Sequence, residues 1–202
     1  MTANTRVVVI AGSVEGMDAL ARLINLLPSK FSAPLVTHIH GLRHESIPRF
    51  MRNRLDLPSR LKIVSAAEGE EALAGYFYVA PEGKDLVFTA SGVLSFVRSE
   101  PDSGADRLFE SAALFHGRDV IGVVLSGLGK DGTHGLKAIT EVGGTRIVQS
   151  PSETAFPGMP SSALLGDNVE HSVLLDQMGG LLASLVQNVR PDSVSPPGMY
   201  VA

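Results

Sequence analysis

The sequence predicts an α/β protein: a doubly wound, mostly parallel sheet with helices on both faces and an added antiparallel β-meander. Uniformly apolar, β-branched runs such as 6–11 and 120–126 are typical of strands buried on both faces of a parallel sheet. Stretches with apolar residues at helical spacing follow these runs, and glycines often stand between the two, where α/β proteins turn from strand to helix. Alternation of this kind predicts repeated βαβ units.

The first half of the chain opens with a β-turn-α unit. Its strand, 6–11, ends at Gly12-Ser13, and an amphipathic helix follows from Met17 to Leu27 before Pro28. The next predicted elements are a strand at 34–38, a helix at 45–55, a strand at 61–65, and a β-meander made of 76–80, 85–89 and 93–98.

The second half returns to alternating helices and strands. Its predicted elements are a helix at 107–116, a strand at 120–126, a helix at 133–142, a strand at 145–149, a short helix near 161–165 and a last helix at about 174–189. The chain of 202 residues fits one domain, 1–189. The remaining 190–202 are rich in Pro, Ser and Gly, which predicts a flexible C-terminal tail.

Composition excludes several classes of function. The net charge is −4, so the chain lacks the excess of Lys and Arg that nucleic-acid binding needs. Cysteine is absent, which excludes disulfides, thiolate metal sites and a cysteine nucleophile. No run approaches the roughly 20 apolar residues of a membrane span, and the start lacks a signal-peptide core. We therefore expect a cytoplasmic protein that does not insert into a membrane.

Three polar residues at strand ends are the strongest candidates for chemistry. Ser13, His38 and Asp131 each follow or close a predicted buried strand, and ligands of such sheets bind at the carboxyl ends of the strands. Serine, histidine and aspartate are the side chains of an activated hydroxyl nucleophile, and they need no cofactor or metal. Each also has a purely structural interpretation: Ser13 and Asp131 as helix caps, and His38 as a hydrogen-bonded buried residue.

The segments around these residues carry a family resemblance. The chain resembles the catalytic domain of the chemotaxis protein-glutamate methylesterases (CheB type) over about residues 6–188. That family's motifs are G-x-S-T-G-G followed by A-L, then Q-H-M, Y-I-A-P-x-G, L-T-G-M-G-x-D-G-A-x-G-L and G-M-P. They correspond here to 11–16 with Ala19-Leu20, then 37–39, 78–83, 125–136 and 158–160.

The resemblance implies a serine carboxylesterase that hydrolyses glutamate methyl esters on chemoreceptor helices, and some members also deamidate glutamine. It implies Ser13 as nucleophile, His38 as general base and Asp131 as orienting carboxylate. Backbone N–H groups at Val14 and near Leu128 are expected to bind the oxyanion. The implied substrate partners are methylated chemoreceptors or another methylated protein. The family's usual receiver domain is not expected here, so the domain is either constitutively available or regulated by a separate response-regulator chain.

Departures from the family pattern keep a second function open. Val14-Glu15 replaces Thr-Gly after the serine, and a carboxylate there would oppose an oxyanion unless it points to solvent. Thr37 and Leu128 replace a glutamine and a methionine, and 99–106 lacks the histidine and arginine of the family's G-H-R-P-S-V-D segment. The alternative is therefore a catalytically impaired domain that acts as a protein-binding or regulatory module.

Two further alternatives rest on shorter patterns. His38, His40 and His44 have a spacing that could suit a metal-dependent hydrolase, although no carboxylate completes the pattern. A nucleotide-binding loop is disfavoured, because positions 11 and 13 hold Ala and Ser where a dinucleotide motif needs glycine. His134 is close enough in sequence to Asp131 to be considered with the site.

Overall fold

The computed structural model describes residues 6–41, 51, 61–81, 83–166 and 169–187. Its strands, in chain order, are β1 (Val7–Ser13), β2 (Leu35–His40), β3 (Lys62–Ser65), β4 (Tyr76–Val79), β5 (Lys84–Phe88), β6 (Leu94–Arg98), β7 (Val120–Val124), β8 (Thr145–Gln149) and β9 (His171–Val173). Its helices are α1 (Met17–Leu26), α2 (Gly104–His116), α3 (Thr133–Glu141), α4 (Gly158–Gly166) and α5 (Leu175–Gln187). Short 3-10 turns stand at Val14–Gly16, Gly117–Asp119 and Pro151–Glu153.

Seven strands form one sheet in the order β3-β4-β2-β1-β7-β8-β9, and every pairing in it is parallel. Strands β5 and β6 form a separate antiparallel hairpin. The predicted fold class is confirmed. One detail of the prediction was wrong: the segment at 76–80 is not part of the antiparallel addition, because β4 pairs in parallel with β2 and β3.

The two faces of the sheet carry different cores. Alternate residues of β1 point to opposite faces: Val8 and Ile10 pack with α1 and α5, while Val7 and Val9 pack with α2, α3 and α4. We call these the α1/α5 face and the α2 face. By the same alternation, Ser13 at the end of β1 lies on the α2 face. His38 also lies there, since it is two residues after Val36, which packs on that face.

Most predicted elements are present with ends shifted by one to three residues. Strand β9 was missed because it has three residues and lies partly exposed at the edge of the sheet. The predicted helix at 45–55 falls outside the described residues except for Met51, which is helical and buried. The predicted tail also lies outside them. Among the described helices, none has the length and apolarity to cross a bilayer.

Candidate active site

Ser13 closes β1, which lies between β2 and β7 in the middle of the sheet. Ser13 is 1% exposed, and its backbone is extended, with φ −124° and ψ 175°, just before the 3-10 turn. The side chain makes no capping hydrogen bond to that turn. Instead Ser13 Oγ donates a hydrogen bond of 2.5 Å to Glu15 Oε2. Ser13 therefore does not act as a helix cap.

Glu15 is turned back toward the candidate nucleophile. The hydrogen bond from Ser13 is the largest influence on the Glu15 carboxyl and lowers its pKa below the usual 4.5, so the group is ionised at neutral pH. A charge-assisted hydrogen bond of this kind favours the resting hydroxyl. Of the two orientations considered from the sequence, the structure has the one in which the carboxylate faces the site.

His38 is buried in β2, on the strand next to Ser13. It lies directly opposite Ala11 in the parallel register, so it is a diagonal neighbour of Ser13 on the α2 face. Its imidazole lies between two carboxylates: Nε2 is 3.7 Å from Asp131 Oδ2, and Nδ1 is 3.6 Å from Asp85 Oδ1. The start of α2 packs on the ring, since a Cβ at Gly104 would lie 2.1 Å from His38 Cε1.

Burial is the main influence on His38 and lowers the pKa of the imidazole below its usual 6.5. Asp131 and Asp85 oppose that effect because both favour the charged ring, whereas His40 and Arg107 add to it. A neutral imidazole at physiological pH is the form that can accept a proton from a hydroxyl.

Asp131 is buried and fully engaged. Its carboxylate accepts hydrogen bonds from the backbone N–H groups of Ala105 (3.0 Å), Asp106 (3.0 Å) and Gly132 (2.9 Å). Two of these donors belong to the first turn of α2, so Asp131 caps α2 rather than the helix that follows it in sequence. The side chain thus serves a structural role and faces His38 at the same time.

Asp85 and Arg107 were not selected from the sequence. Asp85 lies on the hairpin strand β5 with no exposed surface, and its Oδ2 pairs with Nη2 of Arg107 in α2. Arg107 Nη2 also donates to the carbonyl of Arg98 at 3.0 Å. A charged residue within the apolar pattern of β5 was the available signal, but nothing in its spacing linked it to His38.

The two residues expected to supply the oxyanion site lie on the surface around Ser13. Val14 is 41% exposed and Leu128 is 54% exposed. Gly127 packs directly against Ser13, since a Cβ there would lie 2.6 Å from Ser13 Oγ. The N–H of Gly127 is already donated to Phe156 O at 2.9 Å. The oxyanion role of Val14 and Leu128 stays a prediction.

Two other histidines near the site, His134 and His40, differ in their relation to it. His134 is exposed and lies near Asp106 and Glu110, so it is not part of the cluster. His40 ends β2, and its Nε2 lies 3.3 Å from Asp102 Oδ1. His38, His40 and Asp131 each offer a donor atom within 4.8 Å of the others, which is a set that could hold a metal ion. His44 of the sequence pattern lies outside the described residues.

A parallel α/β sheet with serine, histidine and aspartate at the carboxyl edge of its central strands defines the class: an α/β domain with the residues of a serine esterase. A family model described as CheB methylesterase matches residues 8–182. The chain belongs to the CheB methylesterase family, and the resemblance seen in the sequence is confirmed.

Relatives and a solved structure agree with this assignment. A protein-glutamate methylesterase/protein-glutamine glutaminase 5 of Myxococcus xanthus is 35% identical over 91% of this chain, which spans 53% of that relative's length. A putative protein of the same name from Leptospira interrogans is 33% identical over 92% of this chain and 97% of its own. The crystal structure of the Thermotoga maritima CheB methylesterase catalytic domain has a TM-score of 0.79 and 28% identity, covering 90% of this chain and 99% of that one.

Proposed function

We propose that this chain is a serine carboxylesterase that hydrolyses glutamate methyl esters on a protein, with Ser13 as nucleophile, His38 as base and Asp131 as the carboxylate that supports it. The observation that carries the proposal is the placement of Ser13 and His38 on neighbouring strands and one sheet face, with Asp131 3.7 Å from the imidazole. The family relationship supports the ester substrate.

The reaction follows from the groups present. His38 accepts the hydroxyl proton as Ser13 Oγ attacks the ester carbonyl carbon, and the oxyanion forms near the N–H groups of Val14 and Leu128. Collapse expels methanol, which takes the proton back from His38. Water then attacks the acyl-enzyme by the same route and releases the glutamate carboxylate. With a glutamine substrate the leaving group is ammonia, which gives deamidation.

The protein substrate and its surroundings form the finer part of the proposal. We infer methylated chemoreceptors, or another methylated protein, as the substrate, a separate response-regulator chain as a partner, and the cytoplasm as the location. The names of the relatives support the substrate class.

The second candidate is a binding or regulatory module without turnover. The observation that favours it is the hydrogen bond from Ser13 to Glu15, which occupies the hydroxyl and places an anion beside the oxyanion position. A metal-dependent hydrolase is the minor candidate, and the donor set of His38, His40 and Asp131 is its support.

The test measures methanol release from methylated chemoreceptor membranes. We expect wild type to release methanol and Ser13→Ala to fall by at least about 10³-fold, because a serine nucleophile acts as a unit with its base. Asp131→Asn should also lose activity, and its free energy of unfolding should fall by about 1–2 kcal/mol, because the amide has one acceptor oxygen where the carboxylate uses two to bond the first turn of α2. Far-UV circular dichroism confirms folding of each variant.

Three outcomes separate the candidates. If folded wild type releases no methanol from several methylated receptors, the result supports the binding module. Equal activity of wild type and Ser13→Ala contradicts the assigned nucleophile. Loss of activity after dialysis against a chelator, with recovery on adding zinc, supports the metal-dependent hydrolase.

A further inference from the structure

We propose that Asp85, held by Arg107, is a positioning residue that fixes the ring orientation and tautomer of His38. In this arrangement His38 has two carboxylates, one at each nitrogen: Asp85 at Nδ1 and Asp131 at Nε2. The catalytic consequence rests on the proposed esterase function, whereas the interaction between Asp85 and His38 does not.

The surroundings of Asp85 direct one of its oxygens at the imidazole. Asp85 is fully buried, and Oδ2 is taken by Arg107. Oδ1 is also buried and accepts no hydrogen bond in the part of the chain that the structure describes, yet it lies 3.6 Å from His38 Nδ1. A buried carboxylate oxygen without a donor is costly. A ring movement of about 0.6 Å would bring Nδ1–H to the usual N–H···O separation of about 3.0 Å.

Asp131 is in a different state. Both of its oxygens already accept backbone N–H bonds, three in total, whether or not His38 donates to it. Within the described residues, Asp85 has one hydrogen-bonded side-chain partner, Arg107, and its Oδ1 accepts no hydrogen bond. Of the two carboxylates, Asp85 is therefore the one that gains most from a donated Nδ1–H.

The two ring nitrogens of His38 then have different roles. When Nδ1 carries the proton and donates it to Asp85, the lone pair stands on Nε2, which becomes the nitrogen that accepts the Ser13 proton. Asp131 then lies beside the Nε2–H of the imidazolium and stabilises its charge. A carboxylate at Nδ1 that sets the tautomer of the base is the arrangement that hydroxyl activation requires. The role of tautomer selection thus passes from Asp131 to Asp85.

Arg107 is the cationic partner that holds Asp85 in place. Its guanidinium pairs with Asp85 and is anchored by the carbonyl of Arg98, with Glu100 Oε1 3.9 Å from its Nη1. The charged groups that act on His38 are then Asp85 from β5, Asp131 from the loop before α3, His40 from β2 and Arg107 from α2. Removing Asp85 takes away one of the two anions that favour the imidazolium.

The experiment compares Asp85→Asn with a matched control, Asp106→Asn. Asp106 is another carboxylate of the α2 region that accepts a backbone hydrogen bond, from Gly135, but it does not face His38. The pH dependence of kcat and KM for methanol release is measured for both variants. In parallel, the full chain labelled with ¹⁵N-histidine reports the tautomer and titration of His38 by NMR, with His38→Gln used to assign its resonances.

For Asp85→Asn we expect kcat to fall by about 10- to 100-fold, while KM changes little. This is at or below the roughly 10²- to 10⁴-fold that a general base contributes, because the base is mispositioned and not removed. The acid limb of the pH profile and the NMR titration of His38 should both move to lower pH, since an anion that stabilised the charged ring is gone. Asp106→Asn should show neither shift, even where its thermal stability falls. Neutral His38 in wild type should carry its proton on Nδ1.

Two results would overturn the proposal. One is a neutral wild-type His38 protonated on Nε2, which needs no variant and so remains decisive where Asp85→Asn fails to fold. The other is a folded Asp85→Asn with the wild-type titration of His38. An inactive wild type contradicts the proposed esterase but leaves the NMR measurement valid, so the two failures are distinguishable.

Discussion

The two faces of the central sheet are built for different purposes. The α1/α5 face is mainly apolar: its buried Thr37 and Gln149 are uncharged and bond to backbone groups, and the ion pair between Arg22 and Asp176 is exposed to solvent. The α2 face also has an apolar core, but at the carboxyl edge it encloses Ser13, His38 and two carboxylates with almost no exposed surface. The same strands therefore contribute mainly stability on one side of the sheet and accept buried polar groups on the other.

The polar cluster is tolerated because each of its two carboxylates has a compensating partner. Asp131 is neutralised by the N-terminal N–H groups of α2, and Asp85 by Arg107 of the same helix. Helix α2 thus supplies positive partners for both carboxylates that flank His38. On the α1/α5 face, α1 and α5 instead approach closely where Gly179 lies against Leu26.

The largest difference in activity between the two faces should appear when one glycine on each face is replaced by alanine. A Cβ at Gly104 would lie 2.1 Å from His38 Cε1, and one at Gly179 would lie 2.7 Å from both Cβ and O of Leu26. We expect Gly104→Ala to displace the imidazole and reduce kcat/KM by at least about 10²-fold, since small misplacements of catalytic groups are that costly. Gly179→Ala should keep kcat/KM and lose about 1–3 kcal/mol of stability.

Esterase assays and urea unfolding of both glycine variants test this separation. Alanine in α2 is otherwise a better helix former than glycine, so Gly104→Ala should lose less stability than activity. An activity loss of equal size in both variants would show that the two faces are coupled.

A smaller effect is expected from Glu15, where this chain departs from its family. Glu15→Gln removes the anion that holds the Ser13 hydroxyl, and we expect kcat to rise by about 3- to 10-fold, because a charge-assisted hydrogen bond stabilises the resting state and its exposure weakens it. This bond lowers the pKa of Glu15. The effect of the ionised Glu15 carboxylate on kcat is therefore present above pH 4.5 and is lost only as the pH falls below that value.

The gain in Glu15→Gln should accordingly be the same at pH 6 and pH 8. Steady-state methanol release at the two values measures it, with Asp18→Asn as a control for an acidic residue of the neighbouring first helical turn. A fall in kcat would instead identify Glu15 as a participant in proton transfer.

The smallest effect is expected from the exposed pair on the α1/α5 face. Arg22 and Asp176 are joined at 2.6 Å, with side chains 58% and 72% exposed. Exposed pairs contribute about 0–1 kcal/mol, so Arg22→Ala should change the urea midpoint only slightly and leave methanol release unaltered. A change in kcat/KM would mean that the α1/α5 face influences the site.

Local sequence patterns were enough to predict most strands and helices in their order along the chain, and the three candidate residues. Strands buried on both faces leave continuous apolar runs, as in β1 and β7, and parallel strands bring their carboxyl ends to one edge. Ser13, His38 and Asp131 could therefore be placed together before any coordinates. The family motifs around them are local in sequence and could be read in the same way.

The contacts that the polar side chains make across the fold are seen only in the tertiary structure. Asp131 caps a helix 26 residues earlier in the chain, Asp85 reaches His38 from a separate hairpin, and β4 joins the parallel sheet. Such contacts depend on how distant segments pack, and a hydrogen-bond donor or a charge leaves no periodic signal in a sequence. The hydrogen bond from Ser13 to Glu15 is local by contrast, since the two residues are two positions apart, but residue type alone does not fix that side-chain orientation.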